Sequence, residues 1–225
     1  ISRSSNINDG IDELTTELWR STNMKKLLSA LFLLALCSSL AGASVPDPTF
    51  CTVGPLLGNQ ALPATQVAFL SPGAINGTTI TVTVRNLNNV VIPNSVVIIT
   101  FATGPGNIGI CTNAVHTNTT DSNGRAIITL KGGGCLTDDP NACVITASGW
   151  PIRTLYNVRS PDNEGHTTSV PNGAVNVQDL GAFGDEFVVG PAACHDYDKM
   201  NGCNTQDLGL FGDAFALGTS CSLAP

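Results

Sequence analysis

The C-terminal part of the chain contains an acidic stretch with oxygen-bearing side chains at alternating positions. Counted over residues 196–207, positions 1, 3, 9 and 12 are occupied by Asp196, Asp198, Asn204 and Asp207. A hard cation such as Ca²⁺ takes six to eight oxygen ligands, and a tight loop that ends on a carboxylate at position 12 supplies them. Met200 stands at position 5, where an oxygen ligand is usual, so either Asn201 joins the ligands or the loop binds weakly. The spacing predicts a calcium loop.

An upstream stretch matches only the later half of such a loop. It covers residues 172–179 and contains Asn172, Asn176 and Asp179. The acidic residue that would begin this loop is Asp162, so residues 163–171 have the character of an insertion. If the chain folds back across the insertion, Asp162 becomes the first ligand of this loop.

Each acidic stretch leads into one copy of a repeat, at residues 176–187 and 204–215. The apolar residues of the two copies are Leu180, Phe183 and Phe187, and Leu208, Phe211 and Phe215. Their spacing of three and four residues is typical of one face of a helix. Self-similarity of this kind predicts two copies of one loop–helix unit.

These residues resemble dockerin-type repeats, the paired loop–helix calcium units of secreted bacterial proteins. Both share the same order of residues, which is Asp, Asn, Gly, a hydrophobic residue, Asn and then Asp-Leu. The similarity covers residues 160–221. The resemblance implies calcium binding by both loops and docking to a cohesin domain. The other interpretation is a degenerate pair that survives as a small packed helical cap, with its carboxylates merely solvated.

Composition and charge exclude some functions. The chain has 225 residues, a formal net charge of -7, 12% charged residues and 5% aromatic residues. Nucleic acid is held by clusters of Lys and Arg, which this sequence lacks. Much of the acid lies in the repeat region, and a local excess of carboxylates suits a cation better than a polyanion.

The N-terminal region carries the three parts of a secretory signal in residues 24–43. These parts are the basic Lys25 and Lys26, the apolar run 27–36 and the small residues 41–43. The apolar run is too short to span a bilayer. We therefore interpret residues 1–23 as an upstream translated segment and Ser44 as the mature N-terminus, and we expect a secreted protein, extracellular or at the cell surface. A lipoprotein anchor at Cys37 is disfavoured because bulky Leu36 precedes it.

Export changes the meaning of the cysteines, because thiols outside the cytosol tend to pair. Cys194 and Cys221 flank the second loop and its helix, which favours a bridge between them. Cys203 takes the place of Val175 in the first copy, so we predict an unpaired thiol that acts as a small hydrophobic residue. The remaining cysteines would then form the disulfides Cys135–Cys143 and Cys51–Cys111. These two pairings stay open, since connectivity cannot be read from sequence.

The middle of the chain has the pattern of short strands. Residues 44–64 are rich in Pro and Gly and predict an extended segment, followed by an edge strand near 66–70. Residues 79–85 alternate between apolar residues and threonines. We predict a second, more buried strand at 95–101, a turn at 121–124 and further strands at 126–130, 143–147 and 152–158. Glycines 132–134 predict a flexible corner. Short strands separated by turn residues, without a helical period, predict a β-sandwich.

Residues 65–158 resemble the bacterial Ig-like domains of invasin-type surface proteins. The similarity lies in the strand pattern and in the sequence Thr-Thr-Asp-Ser-Asn-Gly-Arg-Ala of residues 119–126, a turn that leads into a strand. The predicted fold class is therefore mainly β, with an Ig-like β-sandwich at 65–158 and a small α-helical dockerin-like pair at 159–225. The resemblance implies a spacer or adhesive module rather than a catalyst.

No catalytic constellation competes with this interpretation. The chain contains no Gly-x-Ser-x-Gly elbow and no Gly-rich phosphate loop. We expect His116, His166 and His195 to be surface polar residues. Asp138 and Asp139 precede Pro140, as is ordinary in a turn. Asn76 and Asn118 match the Asn-x-Thr glycosylation acceptor, and both tripeptides are also common in turns.

The sequence therefore predicts a secreted, non-enzymatic structural or assembly protein, a subunit of an extracellular fibre or surface layer whose C-terminal repeats are stabilised by calcium. Its expected partners are other proteins or further copies of the same chain. They would be held through the sandwich and through residues 44–70, which are a candidate strand for a neighbour's sheet.

Two alternative functions stay open. One is a scaffold component that docks to a cohesin, and the other is a carbohydrate-binding or adhesin module. The mature chain offers little aromatic surface for sugars, because its Trp and Tyr residues are Trp150, Tyr156 and Tyr197.

Overall fold

The computed structural model describes residues 45–104, 106–166, 168–189 and 194–225. Residues Val45–Pro225 form one compact unit. The upstream segment 1–23 and the signal peptide 24–43, with Trp19 and Cys37, lie outside the described residues, so these assignments stay predictions. None of the helices described has the length and apolar character needed to cross a membrane.

The described part of the chain is mainly β, with two helices at its C-terminal end. The strands are β1 Thr52–Gly54, β2 Val67–Phe69, β3 Thr79–Thr83, β4 Val96–Phe101, β5 Gly109–Ile110, β6 Thr117–Thr119, β7 Arg125–Thr129, β8 Gly132–Gly133, β9 Cys143–Ala147, β10 Trp150–Leu155 and β11 Asn157–Arg159. The helices are α1 Val177–Val189 and α2 Thr205–Ala216, and a single 3-10 turn covers Pro63–Thr65.

Two antiparallel sheets contribute to one hydrophobic core. Their strand orders are β1-β3-β7 and β10-β9-β4-β6. In β3 and just beyond it, Ile80, Val82 and Val84 are buried while the intervening threonines point outward, as the alternation predicted. These residues pack with apolar side chains of β4 and β9, so the alternating pattern places one face of each sheet against the other.

Strand β4 is less buried than predicted. Val97 and Ile99 are buried in the core and Phe101 packs against it partly buried, whereas Val96 and Ile98 are exposed. The prediction of a more buried strand was wrong because its run of apolar residues was taken as buried on both faces. Among the described residues, β4 follows the same one-faced pattern as β3.

The single strand predicted at 152–158 is divided in two by Tyr156. Strand β10 pairs antiparallel with β9, and β11 pairs parallel with β2. The edge strand predicted near 66–70 is β2, which is fully buried and has a neighbour on each side at Val67, namely Asn157 and Leu57. β1 pairs antiparallel with β3. The N-terminal segment thus pairs within its own chain, with β1 at the edge of its sheet, and its addition to a neighbour's sheet stays a prediction.

The turn at 121–124 forms as predicted. The carboxylate of Asp121 accepts hydrogen bonds from the main-chain N–H groups of Asn123 and Arg125, at 2.8 and 2.9 Å. Gly124 has φ +71°, and a Cβ there would lie 2.9 Å from the carbonyl oxygen of Val84. A residue without a side chain is therefore required at this point.

The two helices pack on the β-rich part through a second hydrophobic cluster. It joins Phe183, Tyr197 and Phe211 to Phe69 and Ile75. The rings of Phe183 and Phe211, at equivalent positions of the two repeats, stack with centroids 5.2 Å apart, and Tyr197 lies 5.2 Å from Phe69. The C-terminal segment, which we call the tail (residues 160–225), therefore shares its core with the body (residues 45–159).

Two disulfides tie the tail to the body, and all three predicted pairings are wrong. The bonds are Cys111–Cys221 and Cys135–Cys194, with Cα atoms 5.6 and 5.5 Å apart. Cys51, Cys143 and Cys203 are free thiols. The predictions assumed closure of short loops, namely Cys194–Cys221 around the second repeat and Cys135–Cys143 around a turn, and left Cys51–Cys111. Because the tail folds back on the body, its cysteines meet body cysteines instead. The prediction that Cys203 is unpaired is confirmed.

Candidate metal centre

The second loop brings three of its predicted ligands together. Carboxylate oxygens of Asp196, Asp198 and Asp207 all lie within 4.8 Å of one another, and all three residues are buried. Positions 1, 3 and 12 of the loop thus converge, as a calcium loop requires. We call this group the acidic cluster.

Main-chain N–H groups hold the acidic cluster in place. The N–H of Met200 donates to Asp196 Oδ1 at 3.0 Å and to Asp198 Oδ1 at 2.8 Å. The N–H of Tyr197 donates to Asp207 Oδ1 at 2.7 Å. Each carboxylate oxygen has a second lone pair that these bonds leave free. The loop backbone therefore aims the carboxylates at one point without exhausting their capacity to accept.

The last acidic residue of the loop also caps the helix. Asn204 Oδ1 accepts from the N–H of Gln206 at 2.7 Å, while Asp207 Oδ2 accepts from the N–H of Asn204 at 2.9 Å. This reciprocal pair is a capping box, which satisfies N–H groups that the first turn leaves unpaired. Asn204 is therefore oriented by α2, and as the residue at position 9 it suits a water-mediated contact to an ion.

The acidic cluster carries an electrostatic cost. Burial raises the pKa of Asp207 to about 6, and the neighbouring charges of Asp198 and Asp196 act in the same direction. Burial also raises the pKa of Asp196, against the opposing effect of Arg159. A divalent cation bound between these carboxylates would offset both burial and repulsion.

A ligand role for Asn201 in place of position 5 stays a prediction. Asn201 is exposed with φ 67°, and its side chain makes no hydrogen bond to any described residue. Met200 takes part through its main-chain N–H, while its side chain is exposed. The loop thus presents three carboxylates and Asn204.

In the first loop, Asp162 does fold back across the insertion. Its Oδ1 accepts from the N–H of Asn172 at 2.9 Å, and its Oδ2 accepts from the N–H of Gly173 at 3.0 Å. A Cβ on Gly133 would lie 2.0 Å from Asp162 Oδ2, so only glycine permits this approach. Glycines 132–134 are therefore buried, with Gly133 packed on Asp162 and Gly132–Gly133 forming β8, and the prediction of a flexible corner was wrong.

The first loop repeats the cap geometry of the second. Asn176 Oδ1 accepts from the N–H of Gln178 at 2.7 Å, and Asp179 Oδ2 accepts from the N–H of Asn176 at 2.9 Å. The other oxygen, Asp179 Oδ1, is buried without a hydrogen-bond partner. Burial raises the pKa of Asp162 to about 7 and that of Asp179 to about 6, and the charge of Asp179 adds to the shift of Asp162. Asn172 is exposed and bonds to Glu164 and to the N–H of Ala174 instead.

No family model, curated protein or solved structure matches this chain. These comparisons add nothing to the geometry of the two loops.

The second loop is also attached to the body by a side chain that the sequence did not single out. Lys199 Nζ contacts Asp138 Oδ1 and donates to Asn157 Oδ1 at 2.9 Å. Asn157 is buried and is held in turn through Nδ2 by the carbonyl oxygen of Ala64 at 2.8 Å. Lys199 is position 4 of the loop and directly follows Asp198, and this position was the available signal in the sequence. Movement of the loop is therefore coupled to β11.

The histidines do not all lie at the surface as expected. His195 is fully buried, with Nε2 3.1 Å from the carbonyl oxygen of Asn163 and Nδ1 2.9 Å from Glu186 Oε1. His116 is half-buried and accepts from the N–H of Lys131 at 3.0 Å, and burial lowers its pKa to about 4. His166 alone is exposed among the three. The expectation failed for His195 because the insertion packs over it.

Proposed function

We propose that this protein is a secreted, non-enzymatic structural protein in which calcium bound by the tail fastens the tail to the body. The observation that carries the proposal is the convergence of Asp196, Asp198 and Asp207 within 4.8 Å in a buried loop. The two disulfides between tail and body are compatible with an extracellular protein.

The donor set fits calcium better than a softer metal. Carboxylate, amide and water oxygens suit Ca²⁺, whereas zinc sites use imidazole and thiolate ligands. The three carboxylates of the acidic cluster would hold the ion directly, and Asn204 would do so through a water. Asp162 and Asp179 would hold a second ion in the first loop, where Asp179 Oδ1 still has an accepting position free. The ion would supply charge neutralisation and cross-linking of the loop, with no chemical step.

The ion would act at the junction of tail and body. Tyr197 lies inside the second loop and packs on Phe69 of the body, and Lys199 reaches Asp138 and Asn157. An ion that binds only the folded loop stabilises the folded state by mass action, in proportion to the logarithm of its concentration. Calcium would therefore stabilise the loop and the interface together.

The arrangement of strands supports an Ig-like sandwich. Three strands form one sheet and four form the other, and the chain passes from β1 and β3 to β4 and β6, back to β7, and then to β9 and β10. Repeated passage between two antiparallel sheets is the Greek-key connection of such sandwiches. The repeated cap geometry of α1 and α2 likewise supports a dockerin-like pair.

Calorimetric titration of the metal-free protein with Ca²⁺, together with thermal unfolding in calcium and in EDTA, tests the proposal. We expect uptake of at least one calcium ion and a melting temperature that rises by several degrees with calcium. Magnesium at the same concentration serves as the control ion, since it tolerates such flexible oxygen sites poorly. Equal melting temperatures in calcium and in EDTA would refute the calcium role. Electron microscopy of the same samples shows whether the protein forms fibres or layers.

A second candidate is a component that docks to a protein partner through its helices. The two repeats leave equivalent apolar side chains exposed, since Leu180 and Leu208 are 40% and 43% exposed, and Phe187 and Phe215 are 41% and 37% exposed. Such a duplicated surface suits a docking role of the kind that the dockerin resemblance implies. A pull-down with cohesin domains in the presence of calcium separates docking from self-assembly. Capture that depends on calcium would favour docking.

A further inference from the structure

The largest buried side chain near the second loop is a cation without a close partner. Arg159, the last residue of β11, is 1% exposed. Its Nε and Nη1 are buried and have no hydrogen-bond partner among the described residues. No carboxylate among the described residues forms an ion pair with it within 4.0 Å. A buried guanidinium in this condition requires compensation from charges at somewhat longer range.

Those compensating charges come first from the acidic cluster. Burial lowers the pKa of Arg159, and Asp196, Asp207, Glu186 and Asp138 oppose this effect in that order. The effect is mutual, because Arg159 is also the cation that opposes the raised pKa of Asp196.

The contacts of β11 place Arg159 beside the second loop. Arg159 pairs with Phe69, whose ring lies 5.2 Å from that of Tyr197 inside the loop, and Asn157 of β11 accepts a hydrogen bond from Lys199 of the loop. Asp196 and Asp207 are therefore within electrostatic reach of a positive charge from the body. The main chain at Arg159 is anchored by the N–H of Leu70, which donates to its carbonyl oxygen at 2.9 Å.

We propose that Arg159 is a built-in counter-cation of the second loop, which stabilises the loop when no ion is bound and weakens the binding of calcium. This inference rests on the calcium role proposed above. The positive charge of Arg159 has opposite effects on the loop with and without bound calcium. It attracts Asp196 and Asp207, which the neighbouring carboxylate charges repel, and it repels a divalent ion placed in the acidic cluster. Arg159 thereby raises the calcium concentration at which the loop fills.

Neutral substitutions of Arg159 test the inference by calorimetric calcium titration of the whole protein at fixed ionic strength. Arg159→Met keeps much of the apolar stem, and Arg159→Gln keeps hydrogen-bonding capacity without charge. We expect both to bind calcium at least about fivefold more tightly than the unsubstituted protein. Arg159→Lys, which keeps the charge, retains the original affinity. Arg153→Met is the matched control, because it removes one positive charge from β10, the strand that precedes β11.

The two neutral variants should also depend more on calcium for their stability. We expect a larger difference in melting temperature between calcium and EDTA than in the unsubstituted protein. Neutral variants that fold only when calcium is present would be the extreme form of this result. Neutral variants that bind calcium with unchanged or weaker affinity overturn the inference, as do variants that fail to fold even in calcium. If the unsubstituted protein takes up no calcium, it is the proposed function that fails, and these two failures are thus distinguishable.

Discussion

Asp207 has two roles that a single substitution can separate. One of its oxygens caps α2 through the N–H of Asn204, the other accepts from the N–H of Tyr197, and its carboxylate belongs to the acidic cluster. Asp207→Asn keeps one oxygen acceptor but removes the charge. We therefore expect calcium affinity to fall at least about tenfold, since hard cations need charged oxygen ligands.

Asp213→Asn is the control for this substitution. Asp213 lies on the same helix and is exposed, so its loss changes the net charge equally without touching the loop. Calorimetry should find its calcium affinity close to that of the unsubstituted protein. Equal affinities in both variants would mean that the acidic cluster is not the site.

The raised pKa values of the loop aspartates predict a pH dependence of stability. Burial raises the pKa of Asp162 to about 7, and those of Asp179 and Asp207 to about 6. An unfolded aspartate titrates near 3.9. Between these values the folded protein binds more protons than the unfolded chain, so these groups stabilise the metal-free fold as pH falls. Calcium needs the ionised carboxylates, so its stabilising effect should shrink over the same range.

Thermal unfolding at about pH 7.5 and about pH 5.5, in calcium and in EDTA, measures both effects. In EDTA the melting temperature should be higher at the lower pH, and the difference between calcium and EDTA should be smaller there. Asp162→Asn removes the group with the highest of these pKa values and should flatten the dependence in EDTA. A melting temperature in EDTA that falls on acidification to pH 5.5 would contradict the assignment.

At the scale of elements, the sequence predicted what is local. The alternation of Ile80 and Val82, the turn at Gly124 and the two capped helices all depend on residues a few positions apart, and all are found. The spacing of Asp196, Asp198 and Asp207 belongs to the same class. Local patterns are readable because strand and helix geometry fix the relation between near neighbours.

What the sequence did not predict depends on contacts between distant segments. The burial of His195, the approach of Asp162 to Gly133 and both disulfides arise because the tail packs on the body. Arg159 belongs here as well, since nothing in its immediate neighbourhood in sequence marks it as the cation that acts on the second loop. Such contacts have no signal within a short window of sequence.

The disulfide pattern itself is open to test. Peptide mapping without reduction should find Cys111 linked to Cys221 and Cys135 linked to Cys194. The sequence separation of the second pair is 59 residues, so Cys135→Ser should lower the free energy of unfolding by about 2–5 kcal/mol in urea. Cys203→Ala is the control, because Cys203 is already free, and it should cost less than about 1.5 kcal/mol. A linked peptide containing Cys194 and Cys221 would restore the pairing suggested by the sequence and contradict the structure.

At the scale of the whole molecule, the tail is attached to the body by disulfides and by ionic contacts. Reduction breaks the disulfides, whereas removal of calcium should weaken the ionic attachment. Cys194 precedes the second loop and Cys221 follows its helix, and each is bonded to a body cysteine. Between them lies Lys199, a trypsin site that contacts Asp138 and Asn157. Calcium should protect this site, since cleavage requires local opening of the loop.

Trypsin digestion in calcium and in EDTA therefore separates the two attachments. In EDTA, cleavage after Lys199 should be at least about tenfold faster than in calcium, because opening the loop no longer requires release of an ion. The fragments should stay together on a non-reducing gel, since the Cys111–Cys221 disulfide spans the cut, and should separate on reduction. Cleavage after Arg125, which is exposed in β7, should proceed at the same rate in both conditions and serves as the internal control. Equal rates at Lys199 would show that no ion holds the tail in place, whereas fragments that separate without reduction would show that Cys221 is not bonded to Cys111.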